Sequence, residues 1–324
     1  MPQRVEALSR WLEHVLGRGG LRVAPASADA SFRRYFRVEG AGESRIVMDA
    51  PPEKENTAPF IAVSRLLDEA GLNVPRVLEA DTAQGFLLLT DLGAQPYLSA
   101  LNEHSVEALY GDALAALLAM QSRASRHADT LPPYDERLLL AEMELFRHWY
   151  LERHLGLALS PPQQRTLDQA FSLLAESALV QPKVFVHRDY HSRNLMVTPV
   201  HNPGILDFQD AVFGPVTYDL ASLLRDCYVA WPRERVEGWA LRYLRDAQAA
   251  GVVTEIDEAT WLRWFDWMGV QRHLKATGIF ARLNLRDGKP GYLGDIPRTL
   301  GYVREVSGRY AELDGLNALL EEIK

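Results

Sequence analysis

The chain has 324 residues, enough for about two domains or one large two-lobed unit. With 47% hydrophobic and 24% charged residues it can bury a core, which excludes a wholly disordered chain. Its 35 Lys and Arg against 43 Asp and Glu give a net charge of −8, and this argues against nucleic acid as the main partner, because phosphate-backbone affinity draws on a cationic surplus. At the N-terminus Val5, Leu8, Trp11, Leu12, Val15 and Leu16 recur at helical spacing with charges between them, so an amphipathic helix is predicted, not a signal-peptide core. Leu21–Val23, Phe32–Val38 and Arg45–Asp49 read as short strands, with Ala24–Ser31 as the loop of a hairpin. Pro59–Ala70 reads as a helix with Phe60, Val63, Leu66 and Leu67 on one face and Gly71 at its end. Phe86–Leu89 is an apolar strand, broken by Thr90-Asp91-Leu92-Gly93, and that break is the expected domain boundary. A small α+β unit over 1–90 is therefore expected to precede a mainly helical region over 91–324.

In the second region Ser105–Gln121, Asp135–His154, Pro161–Ala178, Arg233–Ala250 and Asp257–Leu283 carry apolar residues at three-to-four spacing. Trp261, Trp264 and Trp267 on the last of these read as core packing. The longest apolar run, Ala113–Met120, is far below the ~20 residues that span a bilayer. Cys227 is the sole cysteine, so no intrachain disulfide and no Cys-based zinc site can form. The expectation is a soluble cytoplasmic protein with no membrane or nucleic-acid partner, and a monomer is favoured.

Chemistry is expected where two strand-like runs, Val184-Phe185-Val186 and Gly204-Ile205-Leu206, interrupt the helices and lead into polar loops. Asp189, Asn194 and Asp207 place three oxygen-bearing side chains on those loops, and hard oxygen ligands suit Mg²⁺ bound together with substrate phosphates. His187, Asp189 and His191 also form an H-x-D-x-H string that would allow a metal-dependent hydrolase. Against it, there is no second His cluster, and Asn194 and Asp207 would have no task.

The order H-x-D-x-x-x-x-N, an apolar pair and then Asp-Phe resembles the catalytic loop and metal-binding segment of protein kinases. With Phe208-Gln209-Asp210 after Asp207 and Tyr218-Asp219-Leu220-Ala221 downstream, the chain resembles the aminoglycoside phosphotransferase family of small-molecule kinases over nearly its whole length. The strings SFRRYFRV, IVMDAPPEKEN, FLLLTDLG and QRHLKATGIFARLNLRDGK narrow the resemblance. They are similar to those of bacterial sugar kinases that act on the anomeric hydroxyl of N-acetylmuramate and N-acetylglucosamine in cell-wall recycling. The resemblance implies a two-lobed, protein-kinase-like α+β fold, with a small antiparallel-sheet N-lobe and a large helical C-lobe, and it implies ATP and Mg²⁺ as cofactors. It implies Asp189 as the base, Asn194 and Asp207 as Mg²⁺ ligands, and His187 and Asp219 as supports of the loop. Ser31 falls at the phosphate-covering loop, and Leu89, Thr90, Asp91 and Leu92 at the linker whose backbone holds adenine.

Met48 stands where the family carries a phosphate-binding lysine, a feature shared by the sugar-kinase group. Arg33 and Arg34 on the preceding strand are the candidates to supply that charge, and strand alternation lets only one of them face the nucleotide. The sugar site is expected from Asp189, His191, Glu142, Arg272 and His273. Glu142 shares a helix face with Phe146 and Trp149, while Arg272, His273 and Lys275 form a basic cluster that suits an anionic or neutral acceptor. Kinases of other alcohols (aminoglycoside, choline or homoserine), a hydrolase, and a nucleotide-binding pseudokinase suggested by Met48 remain as alternatives.

Overall fold

A computed structural model describes residues 2–28, 32–40 and 42–323. The chain divides into two compact units, Met1–Ala100 with Asn194–Asp210, and Leu101–Arg193 with Ala211–Lys324. The first unit thus runs ten residues past the boundary expected after residue 90 and takes in a separate later segment.

The first unit is built on a five-stranded antiparallel sheet in the order β1-β2-β3-β5-β4. The strands are β1 Arg22–Ala28, β2 Arg34–Glu39, β3 Arg45–Asp49, β4 Val77–Asp81 and β5 Phe86–Thr90. Two helices accompany them, α1 Pro2–Leu16 and α2 Ala58–Glu69. Leu8 and Leu12 of α1 pack with Val38, Val47, Phe86 and Leu88, so α1 covers one face of the sheet. Successive strand residues point to opposite faces. Met48, fully buried, is therefore on the face away from α1. Arg34 and Asp49 pair across β2 and β3 on the α1 face, where Arg4 of α1 reaches Asp49 at 2.7 Å.

Two sequence expectations change here. Residues 24–28, expected in a loop, continue β1, with an irregular register between Pro25 and Ser27. An edge strand tolerates a proline at such a bulge, because its N–H side needs no ladder partner. The strand β4 was not anticipated, since three of its five residues are exposed and its composition is mixed.

The second unit is mostly helical and is organised around the 30-residue helix Glu258–Asp287. Asp257 caps its start by accepting the N–H of Thr260, and Gly288 ends it in a left-handed conformation (φ 63°). Its middle is buried on nearly all sides, as expected of a central helix, and Trp261 and Trp267 are among the buried residues. The helix expected over Asp135–His154 is instead α-helical over Glu136–Leu145 and π-helical over Phe146–His154. Gly278 of the central helix lies against that junction, where a Cβ would fall 2.3 Å from the carbonyl carbon of Leu145. The strand Lys183–Val186 pairs antiparallel with Val212–Pro215. A short helix, Tyr218–Leu224, follows. All seven of its residues are buried, so it offers no amphipathic signal. Among the described residues no helix is long and apolar enough to cross a membrane.

Candidate active site

In the second unit the strand Lys183–Val186 delivers the chain to His187 and Asp189. Asp219, fully buried in the first turn of Tyr218–Leu224, accepts the N–H groups of His187 at 2.6 Å and Arg188 at 3.0 Å. Arg188 adopts a left-handed conformation (φ 78°), and the next N–H, that of Asp189, donates to Nδ1 of His187 at 3.2 Å. That nitrogen is therefore an acceptor in service of the loop. Further along, buried Asp226 accepts the N–H of Ser192 at 2.9 Å and that of Tyr228 at 2.8 Å. Buried carboxylates thus hold both ends of residues 187–192. Asp226 escapes a sequence reading because no motif surrounds it in Leu223-Leu224-Arg225-Asp226-Cys227.

Electrostatics separate the carboxyl groups. Burial pushes Asp219 up to about 7, against the pull of its two N–H donors, and the charge of Asp189 adds to the rise. Burial acts in the same sense on Asp189, but Lys275, His191, Arg272 and His187 overrule it and hold Asp189 down at about 2. Asp189 is an ionised acceptor at neutral pH.

The residues expected around the acceptor divide by their partners. Glu142 is buried and accepts from Tyr134, Arg188, Lys275 at 3.0 Å and Gln271 at 3.3 Å. Burial would raise its pKa, but Lys275 and Arg188 keep it below the usual carboxylate range. With four donors in place, Glu142 braces two cations. Lys275 also donates to the hydroxyl of Tyr218 at 3.0 Å. His273 donates Nε2–H to the carbonyl of Arg225 at 2.7 Å and stacks on Tyr302. Burial, reinforced by Arg272, pushes it down to about 3, so it is neutral and fixed within the fold. His191 is 9% exposed, its ring meets Tyr228 edge-on at 5.3 Å, and its Nδ1 has no partner among the described residues. Burial lowers its pKa as well. The guanidinium of Arg193 lies over the ring of Tyr228, 3.7 Å from its centroid. Arg272 is 5% exposed, its Nη1 lies 3.8 Å from Sγ of Cys227, and its Nε is unpartnered. Phe146 is core, and Trp149 lies under the guanidinium of Arg153; the π-helical turn alters the spacing that would have put them on one face with Glu142.

In the first unit Asn194 and Asp207 stand side by side, Nδ2 to Oδ2 3.4 Å, and the N–H of Leu206 donates to the Asn194 carbonyl at 2.9 Å. Asp207 is left-handed (φ 64°) and accepts from Nε2 of Gln209 at 2.8 Å. The following Phe208 is buried against Phe60 of α2, ring centroids 4.9 Å apart, which anchors the turn. One carboxylate and one amide oxygen are the hard donors that Mg²⁺ uses together with phosphates. Among the described residues no three His, Cys, Asp or Glu side chains gather as metal ligands.

Of the nucleotide candidates, Ser31 lies outside the described residues. Arg33 approaches Glu55 at 3.7 Å. Arg34 pairs with buried Asp49, which Arg4 also holds. Leu89 is buried in β5 opposite Ile46. Thr90 accepts the N–H of Arg76 through its hydroxyl at 2.9 Å. Asp91 accepts from Arg37 at 2.6 and 3.0 Å, Ser44 at 2.6 Å and the N–H of Gly93 at 2.9 Å. Burial would raise Asp91, but Arg37 and Ser44 hold it low. Its side chain thus closes the linker onto β2. Leu92 packs against Gly204, where a Cβ would lie 3.0 Å from Cδ1 of Leu92.

The family match and the relatives show a phosphotransferase with a hydroxyl acceptor. Residues 22–264 match the model of the phosphotransferase enzyme family, and the chain belongs to that family. Over 300 residues it is 53% identical to an N-acetylmuramate/N-acetylglucosamine kinase of Pseudomonas putida, covering 92% of this chain and 87% of the relative. A protein of the same name from Pseudomonas aeruginosa is 48% identical and covers 99% of this chain and 97% of its own length. Among solved structures, choline kinase LicA from Streptococcus pneumoniae has a TM-score of 0.64 at 12% identity, over 94% of this chain and 99% of that one. Aminoglycoside phosphotransferase APH(4)-Ia has a TM-score of 0.60 at 16% identity, over 94% and 98%. These likenesses show the kinase-like, two-lobed α+β fold that the sequence predicts.

Proposed function

We propose that the chain is an ATP-dependent sugar kinase that transfers the γ-phosphate to the anomeric hydroxyl of N-acetylmuramate and N-acetylglucosamine, in peptidoglycan recycling. The observation that carries the chemistry is Asp189, ionised on a loop fixed at both ends by Asp219 and Asp226. The substrate rests on the names of relatives about half identical over nearly the full chain. Two cations, Lys275 and Arg272, act on Asp189, which disfavours a cationic acceptor of the choline or aminoglycoside type.

Phosphoryl transfer passes through a loose transition state, so the main tasks are positioning and charge neutralisation. Asp189 orients the sugar hydroxyl and accepts its proton late in transfer. Asn194 and Asp207 are suited to hold Mg²⁺, which when bound neutralises charge on the phosphates. The backbone of Leu89–Leu92 receives adenine. Arg33 is the better candidate for a phosphate cation, because Arg34 is engaged on the α1 face with Asp49. ATP dependence favours a cytoplasmic location.

ADP release, followed with ATP, Mg²⁺ and a panel of acceptors, tests this reading. Turnover is expected with the two amino sugars and not with choline, homoserine or an aminoglycoside. Turnover confined to one of the latter would overturn the substrate assignment.

A further inference from the structure

The basic cluster of the central helix resolves into one available charge. Three cations are buried among the described residues: Arg225, Arg272 and Lys275. Arg225 pairs with Glu305 at 3.0 Å, and Lys275 pairs with Glu142 at 3.0 Å. Arg272 has no carboxylate within 4 Å among the described residues. Its hydrogen bond, 3.8 Å to the thiol of Cys227, is to a weak acceptor, and its Nε has no partner among the described residues. A buried guanidinium left in this state is costly unless an anion completes it.

The acids that act on Arg272 from a distance, Asp189 and Asp226, raise its pKa, but neither comes within 4 Å of it among the described residues. Both oxygens of Asp226 accept backbone N–H groups, from Ser192 and Tyr228. Both oxygens of Asp219 do the same for His187 and Arg188. His273 is neutral and bonded to a carbonyl, so it neither competes with Arg272 nor adds charge. Nδ1 of His191 and Oγ of Ser192, both buried on the catalytic loop, also have no hydrogen-bond partner among the described residues. Both Arg272 and His191 act electrostatically on Asp189.

We infer that Arg272 reads a carboxylate on the acceptor, with His191 beside it as a hydrogen-bonding partner, and so makes the site selective for an acidic sugar. This rests on the sugar-kinase reading above and names the feature of the substrate that this site recognises. A guanidinium presents parallel N–H donors that match a carboxylate in a way an ammonium does not. N-acetylmuramate carries a lactyl carboxylate and N-acetylglucosamine carries none, so the two sugars form a matched pair.

The test is kcat/KM for both sugars at saturating ATP, in the wild type, Arg272→Gln and Arg272→Lys. Arg272→Gln should lose more on the acidic sugar than on the neutral one, by roughly 10- to 150-fold, the worth of a charge-assisted bond. Arg272→Lys should recover only part of that difference. Thermal melts of the same preparations, with and without each sugar, give a second readout. The acidic sugar should raise the melting temperature of the wild type more than that of Arg272→Gln. Equal losses on both sugars, or none on either, would overturn the inference and leave the kinase reading intact. A wild-type chain that phosphorylates neither sugar would remove the sugar-kinase reading, and this inference with it.

Discussion

Replacing Lys275 by Met should move the acid limb of the pH–rate profile. Lys275 is the largest of the charges that hold Asp189 down at about 2, and it sits 3.0 Å from both Glu142 and the Tyr218 hydroxyl. Without it, burial raises Asp189. An opposite charge at close range is worth about 1–3 pH units, so the carboxylate should titrate that much higher. The base works only when ionised, so activity is lost as pH falls through its pKa, and raising that pKa carries the loss toward neutral pH. Rates above pH 7 should change much less by this route. Breaking a buried pair costs about 3–5 kcal/mol, and the low end is expected here because Glu142 keeps Arg188, Tyr134 and Gln271. The assay is kcat against pH beside a thermal melt, with Lys275→Arg as the charge-preserving control. A folded Lys275→Met enzyme whose acid limb stays in place would refute the electrostatic account of Asp189.

Other substitutions should separate roles that one motif suggests together. Asp189→Asn should lower kcat by ~10²–10⁴-fold with nucleotide affinity nearly unchanged, whereas Asp207→Asn should weaken Mg·ATP binding and turnover together and shift the Mg²⁺ requirement; titrations with a nucleotide analogue beside single-turnover rates distinguish them. Arg33→Ala should raise the KM for ATP at least tenfold, about 1.4 kcal/mol. Arg34→Ala should instead lower the melting temperature, because fully buried Asp49 then keeps only Arg4 as a paired cation among the described residues. Gly278→Ala should destabilise the second unit by about 1–3 kcal/mol or more in denaturant titrations, since the new Cβ would meet backbone 2.3 Å away with no side chain to yield.

The candidate site was legible where it depends on spacing within two short loops. Asp189, Asn194 and Asp207 stand out because their types and intervals resemble those of kinase catalytic and metal-binding segments, and His187 and Asp219 follow from the same resemblance. Long amphipathic helices were legible for a similar reason, as Pro161–Leu179 and Arg233–Ala249 show. What escaped depends on contacts between distant segments. Asp226 gains its task only because its two oxygens meet Ser192 and Tyr228. Glu142 reads as a substrate contact until its partners Arg188, Tyr134 and Lys275 are in place. The contiguous cluster Arg272–Lys275 reads as one basic patch. In the folded chain it separates into a guanidinium with no carboxylate partner among the described residues, a neutral imidazole and a neutralised ammonium, since side chains one and three positions apart on a buried helix face different neighbours. The α-to-π change at Leu145 likewise has no local signal, because Gly278, which lies against it, is more than a hundred residues away.

The most direct measurement of the central claim is phosphorus NMR of the product formed from N-acetylmuramate, ATP and Mg²⁺, run in parallel with the wild type and Asp189→Asn. The wild type should yield a sugar phosphate whose phosphorus couples to the anomeric proton, and the variant should yield almost none. A phosphate on any other hydroxyl, or a folded Asp189→Asn enzyme that forms the anomeric phosphate at the wild-type rate, would contradict it.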